Sequence, residues 1–268
     1  MADASAYAAL LADLAAEHTA LDEVVAPLPP SRWDEPTPAE GWSVRDAIGH
    51  LHHFDRAAAL SATDPSEFAR QRDELVAAYA EPGGPDRLTL GFARAARPDE
   101  LLAAWREARA AMLAHFAALP ADARLEWYGP PMSAMSFATA RLMETWAHGQ
   151  DVVDAVGADR PPTDRLRHIA HLGVRTRAYS YAVRGLEAPA GDVRVELAAP
   201  SGAAWEWGPP DAADSVVGPA VDLCLVVTQR RHVDDTALVV SGPLAADWMG
   251  LAQAFAGGPG PGRTARSR

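Results

Sequence analysis

The sequence predicts a protein of the α+β class with two domains, a helical bundle followed by a smaller mixed domain. The chain has 268 residues, more than the roughly 150 residues of a typical domain. Of these residues, 49% are hydrophobic. Its first part shows helical periodicity broken at prolines, whereas period-2 alternation appears in the last third. We therefore expect a bundle over 1–160, an α+β domain over 161–256 and a disordered tail over 257–268.

Five periodic segments predict the helices of an up-and-down bundle. Ser43 is expected to cap the second helix, with Asp46 three residues later completing a capping box. Ser136 is expected to begin the fifth helix and Gly157 to end it. The predicted helices cover residues 5–26, 43–62, 66–80, 98–118 and 136–156.

The last third of the chain mixes strand and helix patterns. Alternation of apolar and polar residues is typical of strands with one buried face. In the run 216–229 the length favours a helix, whereas the β-branched residues favour a strand. The other predictions are strands at 193–197, 205–207 and 236–241, and helices at 163–185 and 243–255.

Charge and composition exclude several classes of function. Lys and Arg total 24 against 36 Asp and Glu, a net charge of −12, so duplex nucleic acid and anionic membranes are not expected as partners. The absence of lysine excludes Schiff-base and Walker A chemistry. The single cysteine, Cys224, predicts a buried, inert thiol and no disulfide. Without a signal peptide or an apolar span of about 20 residues, a cytoplasmic location is expected.

Glu144 and His148 are the first candidate metal ligands. They lie four residues apart, so both side chains project from one face of a helix. A surface ion pair has the same spacing, but the neighbours Met143 and Trp146 are apolar, and a buried carboxylate and imidazole need a partner such as a metal ion. A histidine of the segment 49–53 on a facing helix would complete a His, Glu, His set that leaves one zinc position open.

Two segments resemble the signatures of a known family. Residues 42–51 read Trp-Ser-Val-Arg-Asp and then Gly-His-Leu, and residues 144–152 read Glu-x-x-x-His-x-x-Asp-Val. Both are similar to segments of the mycothiol-dependent maleylpyruvate isomerase family, whose metal-binding half is a DinB-like four-helix domain. The resemblance covers about residues 5–157, and the part after about 165 resembles, more loosely, the sterol-carrier-like C-terminal domain of that family.

The resemblance implies a metal site, a thiol cofactor and an anion-binding arginine. The matching family residues bind a divalent metal, usually zinc, which implies His50, Glu144 and His148 as ligands, and the thiol is mycothiol. Members are mostly actinobacterial, in agreement with the Ala- and Arg-rich composition. The family also uses an arginine that follows an apolar run, for which Arg230 is the better match by position, with Arg231 beside it.

Three functions are compatible with such a site. Zinc with an open position can bring the pKa of a bound water or thiol close to neutrality. Our main expectation is an enzyme that activates mycothiol as a thiolate for addition to an electron-poor substrate, giving cis-trans isomerisation or S-conjugation. The alternatives are a metal-dependent hydrolase and a non-catalytic protein that binds metal or a small ligand. The expected partners are a small-molecule substrate and the thiol cofactor, with the chain a monomer or homodimer.

The other histidines are expected to be structural or exposed. His52 and His53 turn away from the His50 face by about 200° and 300° of helical rotation, which favours outer positions over metal ligation. His168 and His171 are the reserve ligand pair.

Overall fold

The structure, a computed structural model, describes residues 2–266 and divides the chain into two compact units, Met1–Arg160 and Pro161–Arg268. The predicted α+β class is confirmed, since these residues contain both long helices and a mixed sheet. Among the described residues, none of the helices combines the length and apolar character needed to cross a bilayer.

Four helices of the first unit form a bundle, and two more form a hairpin on its side. α2 packs against α5 and α6, and α1 packs against α6 and α5. The α3–α4 hairpin packs on α2. A 3-10 turn at Pro30–Asp34 follows α1, and β1 (Arg124–Leu125) pairs with β2 (Met132–Ser133) before α6. The helices are α1 (Ala2–Val25), α2 (Val44–Thr63), α3 (Pro65–Ala78), α4 (Gly84–Ala95), α5 (Pro98–Ala117) and α6 (Ala134–Val156).

The beginnings of α2 and α6 are fixed by serine caps. The capping box of Ser43 and Asp46 is present, with each side chain bonded to the backbone of the other residue. For α6 the prediction of Ser136 as the first residue was wrong. Ser133 is the cap, and its hydroxyl accepts the backbone N–H of Ser136. Gly157 ends α6 in the left-handed conformation, as predicted.

The α4 helix was not predicted from the sequence. The run Gly83-Gly84-Pro85 indicates a loop, but Pro85 lies in the first turn of the helix, where its missing N–H costs nothing. Gly83 precedes it with a φ of 68°, a conformation that glycine adopts without strain.

The bundle core joins the helices that carry the candidate ligands. Its members are fully or almost fully buried, and they come from α1, α2, α4, α5, α6 and the 3-10 turn. Removing such side chains from water is the main favourable term in forming the bundle. The cluster includes Leu21, Val25, Trp33, Val44, Ile48, Leu51, Ala93, Leu101, Trp105, Val152 and Val156.

Gly49 sets the close approach of α4 to α2. A Cβ at this position would lie 2.4 Å from the Cβ of Ala93, an overlap that only a shift of one helix relieves.

We expect Gly49→Ala to lower the free energy of unfolding by about 1–2 kcal/mol, because the overlap outweighs the gain in helix propensity. In the control Gly91→Ala, where a Cβ meets nothing within 4 Å, stability should rise by up to about 1 kcal/mol. Urea unfolding checks both, and equal effects would contradict the close contact.

The second unit is a four-stranded mixed sheet with helices. The strand order is β4-β3-β5-β6, in which β3 and β5 are parallel and the outer pairs antiparallel. α7 packs against α9, and α10 packs against β5 and β6. The elements are α7 (Leu166–Arg175), α8 (Arg177–Ala182), β3 (Val193–Ala198), β4 (Ala204–Trp207), β5 (Asp214–Pro219), α9 (Ala220–Val227), β6 (Val239–Ser241) and α10 (Pro243–Leu251), with a 3-10 turn at Val233–Asp235.

One prediction in this unit was wrong, and one open alternative is resolved. The single helix predicted over 163–185 is two helices, because Thr176 leaves helical geometry and its hydroxyl bonds back to the carbonyl of Leu172. The ambiguous run 216–229 contains both alternatives, a strand up to Pro219 and then α9.

From the end of α10 to residue 266, the last one described, the chain carries neither helix nor strand. Gln253 donates through its side-chain amide to the carbonyl of Gly258, and Arg184 donates to the carbonyl of Gly260. Residues 267 and 268 of the tail predicted to be disordered lie outside the described residues.

Candidate metal centre

The structure brings His50, Glu144 and His148 together. His50 lies on α2, and the other two lie one turn apart on α6. The Nε2 atoms of His50 and His148 lie 3.5 Å and 3.3 Å from the same carboxylate oxygen, Oε2 of Glu144. One donor atom from each residue lies within 4.8 Å of the other two.

This donor set fits a divalent metal such as zinc. In a tetrahedral site with bonds of about 2.0–2.1 Å, ligand atoms are about 3.3–3.4 Å apart, close to the two distances to Glu144. The three side chains keep exposed fractions of 18%, 21% and 11%, so the site is open on one side. Within the described part of the chain, His168 and His171 join no such group.

The ionisation of two of the donors also suits a metal. Burial, and then the neighbouring imidazole of His148, lowers the pKa of His50 to about 3, so its ring is neutral. Burial alone would raise the pKa of the Glu144 carboxyl, but the hydrogen bonds and charges of His148 and His50 hold it well below its usual range. A neutral imidazole and an ionised carboxylate are the forms that bind metal ions.

Aromatic rings and a second carboxylate surround the donors. Nδ1 of His148 lies 3.7 Å from a carboxylate oxygen of the buried Asp151, which places an acceptor behind the ring, as is common for metal-binding histidines. The ring of Trp42 stacks on His148 at 5.4 Å, and Phe54 contacts His50 at 4.5 Å between centroids. The orientation of both imidazoles is thus fixed by packing as well as by charge.

A buried charge network joins all four bundle helices next to this site. Asp55 of α2 is fully buried and accepts two hydrogen bonds from Arg141 of α6, at 3.0 Å and 2.9 Å. It also accepts the indole N–H of Trp105 of α5 at 3.1 Å. His18 of α1 lies 3.8 Å from the same carboxylate. This network was not predicted from the sequence, although charged residues amid apolar helix positions were a visible signal.

His18 makes the stability of the bundle sensitive to acid. Burial lowers its pKa to about 4, outweighing the nearby Asp55, and neither ring nitrogen has a hydrogen-bond partner in the described part of the chain. The unfolded chain takes up this proton near the ordinary pKa of 6.5, so acid favours unfolding. We expect the free energy of unfolding to be unaffected by this group above about pH 6.5. Between about pH 6.5 and 4 it should fall, and His18 should account for a loss on the order of 3 kcal/mol.

The variant His18→Leu isolates this effect. It removes the titrating group and keeps an apolar side chain against Trp105, so its stability should fall less over the same pH range. Urea unfolding at about pH 7 and about pH 4.5 measures the difference. Equal losses in both proteins would assign the acid sensitivity to other groups.

The other candidate, Arg230, follows α9 in the second unit. Gln229, two residues after the end of that helix, has a φ of 59°, in the left-handed region that few residues other than glycine adopt. The backbone N–H groups of Arg230 and Arg231 then both donate to the carbonyl of Leu225. The Arg230 guanidinium, half-buried, donates to the carbonyl of Thr228 at 2.7 Å.

Cys224 and His171 have structural roles. Cys224 is fully buried, as predicted, and burial raises the pKa of its thiol. His171 accepts the indole N–H of Trp207 at 3.1 Å.

Comparison with known proteins assigns the chain to a family. Residues 14–153 match the family model described as mycothiol maleylpyruvate isomerase N-terminal domain. The chain belongs to this family. The matched range contains all three residues of the candidate metal centre. Relatives in two strains of Mycobacterium tuberculosis, described as uncharacterized proteins, are each 50% identical over 94% of this chain and 97% of their own length.

Solved structures support the fold along most of the chain. The chain is similar to crystal structures of the mycothiol-dependent maleylpyruvate isomerase and of a histidine-to-alanine mutant of it, which are structures of an enzyme. The TM-scores are 0.55 and 0.60, at 14% and 15% identity, and each comparison covers 89% of this chain and 95% of the other. At this identity the similarity establishes the two-domain α+β fold.

Proposed function

We propose that the protein is a metal-dependent enzyme that uses mycothiol to isomerise, or to form an S-conjugate with, an electron-poor substrate. The observation that carries this proposal is the convergence of three donor atoms, from His50, Glu144 and His148, within 4.8 Å. Membership of the mycothiol maleylpyruvate isomerase family supports the choice of thiol and of reaction class.

The three donors would hold the metal, and their surroundings would keep them in place. A divalent ion such as zinc, when bound, supplies a Lewis acid that favours the thiolate form of a thiol. Glu144 contributes a negative charge, and Asp151 lies against the far nitrogen of His148. Trp42 covers the His148 ring and excludes water from that side. The partial exposure of the donors leaves room for the thiol.

Arg230 would bind the anionic end of the substrate. The maleylpyruvate in the name of the structural relatives is a dianion, and a guanidinium offers two parallel donors to a carboxylate.

We expect Arg230→Gln to reduce kcat/KM by about 10- to 100-fold, mainly by raising KM, since a charge-assisted hydrogen bond contributes about 1.5–3 kcal/mol. The neighbour Arg231 provides the control, and Arg231→Gln should have less than a threefold effect. A larger effect at Arg231 would transfer the role to it.

An isomerisation assay tests the proposed reaction. The metal-loaded protein is incubated with maleylpyruvate and mycothiol, and the cis-trans conversion is followed by ultraviolet absorbance. We expect turnover that needs both the metal and mycothiol, with mass spectrometry distinguishing an isomer from an S-conjugate. Glutathione in place of mycothiol is the thiol control. Turnover that is independent of any thiol, or hydrolysis of the substrate, would contradict the proposal.

A further inference from the structure

A cavity separate from the metal centre lies between the α3–α4 hairpin and helices α2 and α5. We call it the hairpin cavity. Its volume is about 710 Å³, within the range of small-molecule sites. None of the three candidate metal ligands lines it, and neither does Asp151 or Trp42. It lies wholly within the first unit.

Polar side chains that have no hydrogen-bond partner among the described residues line the α2 side of this cavity. His52, His53 and Arg56 occupy one stretch of α2, and Tyr128 lies beside them, its ring and that of His53 both packing on Phe54. None of these four side chains makes a hydrogen bond or an ion pair with another described residue. The Nε2 atom of His53 is also shielded from solvent. Burying such a nitrogen without a partner is unfavourable, and a ligand atom would offset this cost.

The opposite wall of the hairpin cavity is apolar and open to solvent. Leu88 and Phe92 of α4 have exposed fractions of 40% and 50%, and Leu75 of α3 completes the wall. The ring of Phe92 lies 5.0 Å from that of His52, so the apolar wall meets the polar one directly. Large exposed apolar side chains beside a cavity are typical of a binding surface.

The charges around the hairpin cavity favour an anion at its α2 side. Arg70 on α3 is already paired with Glu67 and Glu74, whereas Arg56 is exposed and has no ion-pair partner among residues 2–266. Glu107 of α5 is the remaining acidic residue of the lining, and it offers an acceptor for a hydroxyl or amino group at another part of a ligand.

We infer that the hairpin cavity binds an organic anion with an apolar body. Its acidic group would be bound by Arg56, His53 and Tyr128, and its apolar body would lie against Leu88 and Phe92. This inference is independent of the proposed reaction at the metal centre, because the two sets of residues do not overlap.

Titration of the full-length protein with 8-anilinonaphthalene-1-sulfonate tests the inference. This probe has a sulfonate on an apolar aromatic body, and N-phenyl-1-naphthylamine is its uncharged counterpart. We expect saturable binding, which Arg56→Gln weakens about tenfold for the sulfonate but leaves unchanged for the amine. The control Arg72→Gln, on the same hairpin but outside the lining, should bind both probes like the wild type.

Blocking the cavity gives the second readout. Ala104→Trp on α5 should fill the space and reduce binding of both probes at least about tenfold. Ala59→Phe on α2 should have the same effect. Circular dichroism shows which of the two variants is folded, and that variant is used. Glu144→Gln should leave both affinities unchanged, since Glu144 does not line the cavity. Non-saturable binding, or affinities that neither Arg56→Gln nor the folded blocking variant changes, would overturn the inference.

Discussion

Replacing Arg141 with leucine is expected to lower the free energy of unfolding by about 3–5 kcal/mol, because it leaves the Asp55 carboxylate buried without its cation. The exposed fractions of the two side chains are 3% and 0%, so water cannot replace the lost partner. Trp105 still donates one hydrogen bond, and the nearest remaining group with a basic nitrogen is His18 at 3.8 Å. Urea unfolding followed by circular dichroism gives the value.

An exposed ion pair gives the matched control. Arg87 pairs with Glu81, and both side chains are more than half exposed, so Arg87→Leu should change stability by less than about 1 kcal/mol. The double variant Asp55→Leu with Arg141→Leu should recover part of the loss, since it removes both charges. If Arg141→Leu and Arg87→Leu had the same small effect, the network would contribute nothing to the fold.

The position of this network connects stability with function. Asp55 follows His50 on α2, and Arg141 precedes Glu144 on α6. The ion pair therefore fixes the two helices in the register that brings the metal donors together, and Arg141→Leu should also weaken metal binding.

Replacing Glu144 with glutamine is expected to reduce metal-dependent turnover by about a thousandfold or more. The substitution keeps the size of the side chain but removes the negative charge from between His50 and His148, so the metal loses one of three ligands. His115→Gln, at an exposed histidine of α5, is the matched control and should turn over like the wild type.

A stability measurement separates this effect from unfolding. The Glu144 carboxylate is not part of the Asp55 network, so the metal-free variant should unfold within about 1 kcal/mol of the metal-free wild type. Full activity in a folded Glu144→Gln protein would contradict the role of this carboxylate.

Local signals predicted much of the fold and the candidate site. Ser43 and Asp46 marked the start of α2 because a capping box is a contact between neighbours in sequence. The spacing of Glu144 and His148 placed both on one helix face for the same reason. The choice of His50 as the third ligand came from the family resemblance, and its meeting with the other two required only that α2 and α6 be neighbours in the bundle.

Features that depend on distant contacts could not be predicted in this way. Asp55 is held by residues of three other helices, and no spacing within α2 reveals them. The run 216–229 changes from strand to helix at Pro219, where pairing with β3 ends and packing on α7 begins. The hairpin cavity exists because α4, a segment for which the sequence predicted no element, packs on α2.

The most direct test of the account is the metal content of the purified full-length protein, measured by mass spectrometry for the wild type and its variants. We predict about one zinc per chain in the wild type, loss of that zinc in both His50→Ala and Glu144→Ala, and retention in His115→Ala. A wild-type protein that contains no metal and takes up no zinc, or variants that retain it fully, would contradict a metal centre at His50, Glu144 and His148.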